Sequence, residues 1–411
     1  MKSYLLFFFL FAALVLGSYM VGPLSVRVYF SLLFFWVLFR SKLNKQPSRI
    51  KEFTKLFNIF LIVTALTLLL NGEFMTSNFI KKFLAYYFPA LLTIYGVSNY
   101  IKSFSDTRRI LLFLLGVGVF TASVTWLQYF GVSAGTTIGM KFINVNQAQN
   151  DILETLDVVP SGGAYGSGMA IGIMGFAFTN ACFISSVGAI PYVFRNYRFF
   201  YGSTYLVYAF IFLMLAACFM TQERSSFFSL LAIDLFLIGG FYPSTGNGKN
   251  RFLLIFIAVV LLLFYKSLSG VDMGRLTEFS AKEDTRNAIW KECFAFLSKH
   301  WLLGGPVAYN RLNDSIPPHN YFLNEFINSG LIGGLLASYI YIRLWISTLR
   351  TAWRRNISNE TRTVACCLIV SLFYSLFHNA TFAEGDVLQT LLCIMHIKNL
   401  GFEEKNQIAR T

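Results

Sequence analysis

Long apolar runs recur along this chain, separated by short basic segments, and nothing else in the sequence constrains the fold as strongly. A helix that crosses a bilayer needs about 20 mostly apolar residues, because the hydrocarbon core is about 30 Å thick. No water is available there, so every backbone amide must be bonded within the segment, and such runs must be helical. The runs do not alternate apolar with polar residues, which excludes a membrane β-barrel. Twelve spans are expected, at about 4–21, 24–39, 56–71, 83–101, 110–130, 168–190, 199–220, 225–241, 252–267, 331–349, 363–378 and 385–400. Composition agrees, with 55% of the 411 residues hydrophobic and 13% charged. A soluble chain carries roughly 25% charged residues. The first run has only Lys2 ahead of it and no small-residue cleavage site, so it reads as a retained span.

Lysine and arginine set the orientation. With the N-terminus in the cytoplasm, the inner loops and tail hold 21 of the 34 basic residues and only five of the 20 acids. They include Arg40 to Lys55, Lys102, Arg108 and Arg109, Arg195 and Arg198, Lys249 and Arg251, and Arg350 to Arg362. The net charge of +14 is therefore a mark of topology and of an anionic inner leaflet, and no nucleic-acid partner is implied.

Two outer segments are too long to be simple turns. One is 131–167, with Asp151, Glu154, Asp157 and a Gly/Ser-rich end. The larger is 268–330, between the ninth and tenth spans. Spans 1–9 thus occupy 1–267, the large loop 268–330, and spans 10–12 with a short tail 331–411. In the large loop, Trp290, Cys293, Leu297 and Trp301 fall at helical spacing after Arg286. Asp284 or Thr285 can cap this helix, and Gly304-Gly305-Pro306 ends it. It is expected to lie on or near the membrane surface. A second short helix should begin near Asn320, after Pro317-Pro318, and stop at Gly330. Two deep charges, Asp234 and Arg343, fall at similar depth and are expected to pair across the eighth and tenth spans. No internal repeat or Cys/His metal spacing is found, and five of the six cysteines sit in spans.

Three outer residues could carry chemistry. Arg224 stands in the tight turn Thr221 to Ser226, at a membrane boundary where an arginine can also act as a snorkelling anchor. Arg286 stands at the first turn of the amphipathic helix, and exposed helix N–H groups beside a guanidinium suit a phosphate or diphosphate. Beside Glu283 and Asp284 it can equally be a solvated surface arginine. His319, at a helix N-terminus, is a natural general base at neutral pH, or a loop histidine held by hydrogen bonds.

His319-Asn320, followed by nine residues, Gly330, two residues and Gly333, resembles the His-Asn-x9-Gly-x2-Gly pattern of bacterial O-antigen ligases. Arg224 after a Thr-Gln pair, and Arg286 before Ile289-Trp290, match the arginines of the same family. The motifs cover about 220–335, while the twelve spans extend the likeness over nearly the whole chain. Phe228 stands where many ligases have leucine. The resemblance implies an all-α, GT-C-like polytopic membrane protein with its large loop in the periplasm. It implies transfer of a glycan from undecaprenyl diphosphate to a sugar hydroxyl of lipid A-core, metal-independent and inverting, without cofactor. Arg224 and Arg286 would stabilise the departing diphosphate and His319 would take the acceptor proton. Asn320, Gly330 and Gly333 would support them. The nearest alternative is a polymerase using a second lipid-linked glycan as acceptor, and pilin-glycosylating relatives share the motif. A lipid-linked sugar flippase would instead place its functional charges within the spans.

Overall fold

The computed structural model describes residues 3–22, 24–40, 47–142, 170, 172–174, 177–194, 204–221, 223–237, 285–312, 318–378 and 381–408. The ninth expected span, the start of the large loop (268–284) and most of the smaller one (143–167) lie outside the described residues. The helices are α1 (Ser3–Leu14), α2 (Val26–Arg40), α3 (Ser48–Leu70), α4 (Phe79–Lys82), α5 (Phe88–Tyr100), α6 (Phe104–Tyr129), α7 (Ser133–Phe142) and α8 (Ala177–Val187). They continue as α9 (Pro191–Phe194), α10 (Thr204–Met220), α11 (Arg224–Phe236), α12 (Thr285–His300), α13 (Pro306–Leu312), α14 (Tyr321–Trp353), α15 (Asn359–Ser375) and α16 (Val387–Ile408). A two-stranded ribbon, Met20–Val21 against Leu24–Ser25, is the strand content among the described residues. Three helices, α3, α6 and α14, are long and apolar enough to cross a membrane, with shorter apolar helices around them. The architecture is all-α and of membrane type.

Polar contacts between helix ends gather at two places. At one end Arg49 pairs with Glu404 at 2.6 Å, Arg108 with Glu360, and Glu403 accepts from Ser358 and Thr361. Arg362 donates there to the carbonyls of Arg354 and Arg355. The basic loops of the described chain thus gather at this end, as the charge pattern requires. The opposite end holds the C-terminus of α3, the start of α11 and the α12–α13 segment.

The expected Asp234–Arg343 pair is not formed. Arg343 instead donates to Glu52 at 2.6 Å and to the Tyr339 hydroxyl at 3.0 Å, while Asp234 is buried on α11. The reason is neighbourhood: α14 packs along α3, so the nearest carboxylate is on α3 rather than on α11.

The part of α14 before Gly330 does not continue the rod that follows it. Gly330 has φ 62° and ψ −164°, and the preceding arm, 321–329, turns back along the helix that follows. Tyr321 donates to the Ala337 carbonyl at 2.9 Å and stacks on Tyr341 at 4.5 Å. In a straight helix these two rings would stand about 30 Å apart. The break falls at Gly330, where the short helix was expected to stop. Gly333 then seats the arm, because a Cβ there would lie 2.3 Å from the Ser329 Cβ.

The tip of this helical hairpin is clamped by the segment between α12 and α13. Leu331 N–H donates to the Leu302 carbonyl at 3.1 Å, and Gly305 N–H to the Ile327 carbonyl at 2.8 Å. On α12, Cys293 and Phe296 pack with Tyr309, Leu323 and Ile327 into a small second core. The amphipathic face is therefore covered by the arm and α13. Trp301 corrects the sequence reading, since it lies past the helix end and is exposed. Glu73, just past α3, accepts from the backbone N–H groups of Val307 and Ala308 at 3.2 and 2.9 Å and so caps α13. Removing such a cap costs about 0.5–2 kcal/mol. Glu73→Ala is expected to destabilise the protein by that amount, read as a lower melting temperature, and to speed amide exchange in 306–312; unchanged exchange there would refute the cap.

Candidate active site

His319 stands at the base of the arm. The paired prolines before it disfavour helix in the stretch they follow, so the arm can begin only after them. His319 turns the chain with φ 49°; Asn78 is the other described non-glycine residue with positive φ. Asn320 then caps the arm, its side-chain oxygen accepting from Leu323 N–H at 3.2 Å. The same side chain donates to the Leu376 carbonyl at 3.3 Å, tying the start of the arm to the end of α15. The spacing of the motif now has a mechanical reading. His-Asn opens the arm, nine residues give it about 13 Å of helix, and two glycines turn it and seat it.

Three chain segments meet at His319. From just past α15 comes His378, whose ring lies 6.1 Å from that of His319, nearly perpendicular, and stacks on Tyr374 at 4.2 Å. From the start of α11 comes Glu223, whose carboxylate lies 3.4 Å from His378 Nε2. Arg224 follows it as the first helical residue and is half-buried. From α12 comes Trp290, whose indole N–H donates to the Pro318 carbonyl at 3.0 Å. Arg286 lies in the first turn of α12, one turn before Trp290. The structure thus brings the segments that carry Arg224, Arg286 and His319 to one junction.

Above His319 the arm is bound by polar contacts to the loop before α16. Asn324 and Asn328 both donate to Glu384, and Asn324 also to Glu325. Cys293 is not a nucleophile here: burial pushes its thiol up, and it contacts the Tyr309 hydroxyl at 3.1 Å inside the small core. Among the described residues no group of acids, histidines and cysteines is arranged to hold a metal ion.

Glu223 and His378 were not assigned a role from sequence. A signal for His378 existed, because it is followed by asparagine, as His319 is, at the end of a span facing the same side. Nothing in the sequence said that α11, α14 and α15 are neighbours.

These observations define a multi-pass helical membrane protein with a polar, two-histidine junction at one end of its bundle, opposite the basic loops. Residues 209–338, about a third of the chain, match the family model described as O-antigen ligase. The resemblance read from the motifs is borne out over that stretch, which contains Arg224, Arg286, His319 and Gly330. The match supports an enzyme of ligase or polymerase type in O-antigen assembly. No curated protein matches the chain.

Proposed function

We propose that the protein is an O-antigen ligase of the bacterial inner membrane, transferring a glycan from undecaprenyl diphosphate to a sugar hydroxyl of lipid A-core at the periplasmic face. The observation that supports this reading is the surroundings of His319: its turned backbone faces His378, which contacts Glu223 next to Arg224, and Trp290, one turn after Arg286, bonds to the Pro318 carbonyl before it. The positive-inside rule puts the opposite, basic end in the cytoplasm. Helix α15 has 17 residues. It therefore rises about 25 Å from the basic end, which brings His319 near the far boundary of a hydrocarbon core about 30 Å thick.

In this reading His319 removes the proton of the acceptor hydroxyl as its oxygen attacks the anomeric carbon. The bond from that carbon to the diphosphate oxygen breaks, and its electron pair leaves with the diphosphate. Arg224, Arg286 and the N–H groups that open α12 hold the growing negative charge. One displacement inverts the anomeric centre. Two guanidinium groups supply the charge that a divalent cation would otherwise bring. Transfer is therefore expected to continue in excess chelator; activity lost on chelation and restored by Mg²⁺ or Mn²⁺ would refute this.

The deciding assay uses proteoliposomes with a defined lipid-linked donor. Transfer to lipid A-core supports the ligase. Extension of a second lipid-linked glycan instead would make the protein a polymerase. Transbilayer movement of the donor without glycosidic bond formation would make it a transporter.

A further inference from the structure

His378 is remote from His319 in sequence, yet the fold holds the two rings 6.1 Å apart. Three separate contacts hold His378 there. Its ring stacks on Tyr374 one helical turn earlier, at 4.2 Å. Its Nε2 faces the Glu223 carboxylate at 3.4 Å. The hydrogen bond from Asn320 to the Leu376 carbonyl fixes the two segments against each other, two residues before His378 and one after His319. His378 is 8% exposed, so this is an enclosed contact rather than a surface coincidence. His319 itself sits in a backbone region that non-glycine residues rarely occupy, and such strain persists only where the surroundings over-determine it.

We propose that His378, held by Glu223, is a positioning residue for His319 in glycan transfer. This rests on the reading of His319 as the base. The proton of the acceptor hydroxyl goes to His319, giving an imidazolium. Its charge is met by the facing imidazole of His378 and, behind that, by the carboxylate of Glu223. A base oriented by a second group, and that group by a third, is the general arrangement by which a weak nucleophile is activated. The three residues come from just before α14, just after α15 and the turn before α11, so packing of these helix ends assembles the base next to the segment that carries Arg224. Glu223 thereby links the base to the arginine that follows it in the chain.

The test separates this role from packing. His378→Phe keeps a ring to stack on Tyr374 but removes both nitrogens. It is expected to lower kcat at least about 10-fold, within the range for acid–base effects, with the donor KM unchanged. His378→Gln, which keeps a hydrogen-bonding group, should fall between His378→Phe and the wild type. Glu223→Gln should lower kcat in the same direction. Added imidazole should restore part of the rate to His378→Ala. A wild-type rate in His378→Phe would overturn the proposal. So would a loss in which His378→Phe and His378→Gln are equal, imidazole restores nothing and the donor KM rises in step. Should His319→Ala abolish transfer while His378→Phe does not, the base stands and only the role of His378 falls. A wild-type protein that transfers to no acceptor would overturn both.

Discussion

His319→Ala is expected to reduce glycan transfer by about 10²–10⁴-fold, the contribution typical of a positioned general base, while the lipid-linked donor still binds. The two effects separate because the residues do. The diphosphate is assigned to Arg224, Arg286 and the start of α12, whereas His319 handles only the acceptor proton. The cap on the arm comes from Asn320, which stays, while alanine adopts φ 49° less readily than histidine, so folding of the variant is checked alongside transfer. Binding of a labelled donor to the purified variant and single-turnover transfer, measured side by side, read the two terms. Transfer at the wild-type rate by a folded His319→Ala protein would end the assignment. Lost donor binding would move His319 into the diphosphate site.

Gly330→Ala is expected to cost more than any surface substitution in this protein, and to damage both stability and transfer. The φ of 62° alone carries a penalty of about 1–3 kcal/mol for a residue with a Cβ. The added carbon would stand 2.3 Å from the Leu302 carbonyl oxygen and 2.7 Å from the Leu303 carbonyl carbon, both backbone atoms that cannot rotate away. Relief requires the tip clamp to open, releasing the Leu331–Leu302 hydrogen bond and loosening α12 from the arm. That would disturb the Trp290–Pro318 contact beside His319. The measurements are thermal melting, the Trp290 emission spectrum with the other tryptophans replaced, and the rate of transfer. Gly401→Ala is the control: it lies within α16 with nothing within 4 Å of its added Cβ, and should be neutral or stabilising. Equal melting temperatures and rates for Gly330→Ala and the wild type would refute the hairpin.

By itself the sequence determined the class, the sidedness of charge and the starts of the important helices. These are local quantities: the length of an apolar run, the count of lysine and arginine in a loop, a capping residue after two prolines. Asn320 as a cap, Gly330 as a break and Arg224 at a helix start were all legible for that reason. The motif was legible as a pattern, but its nine-residue spacing acquired a cause only when the arm was seen to fold back. Tertiary structure alone decided which side chains meet. Arg343 pairs with Glu52, 291 positions away, because α3 and not α11 lies along α14. Glu223, His378 and His319 come together because three helix ends converge. No local propensity encodes that convergence, since it depends on how all the helices pack, and in lipid that packing rests on close contact and interhelical hydrogen bonds rather than on a sequence-local hydrophobic drive.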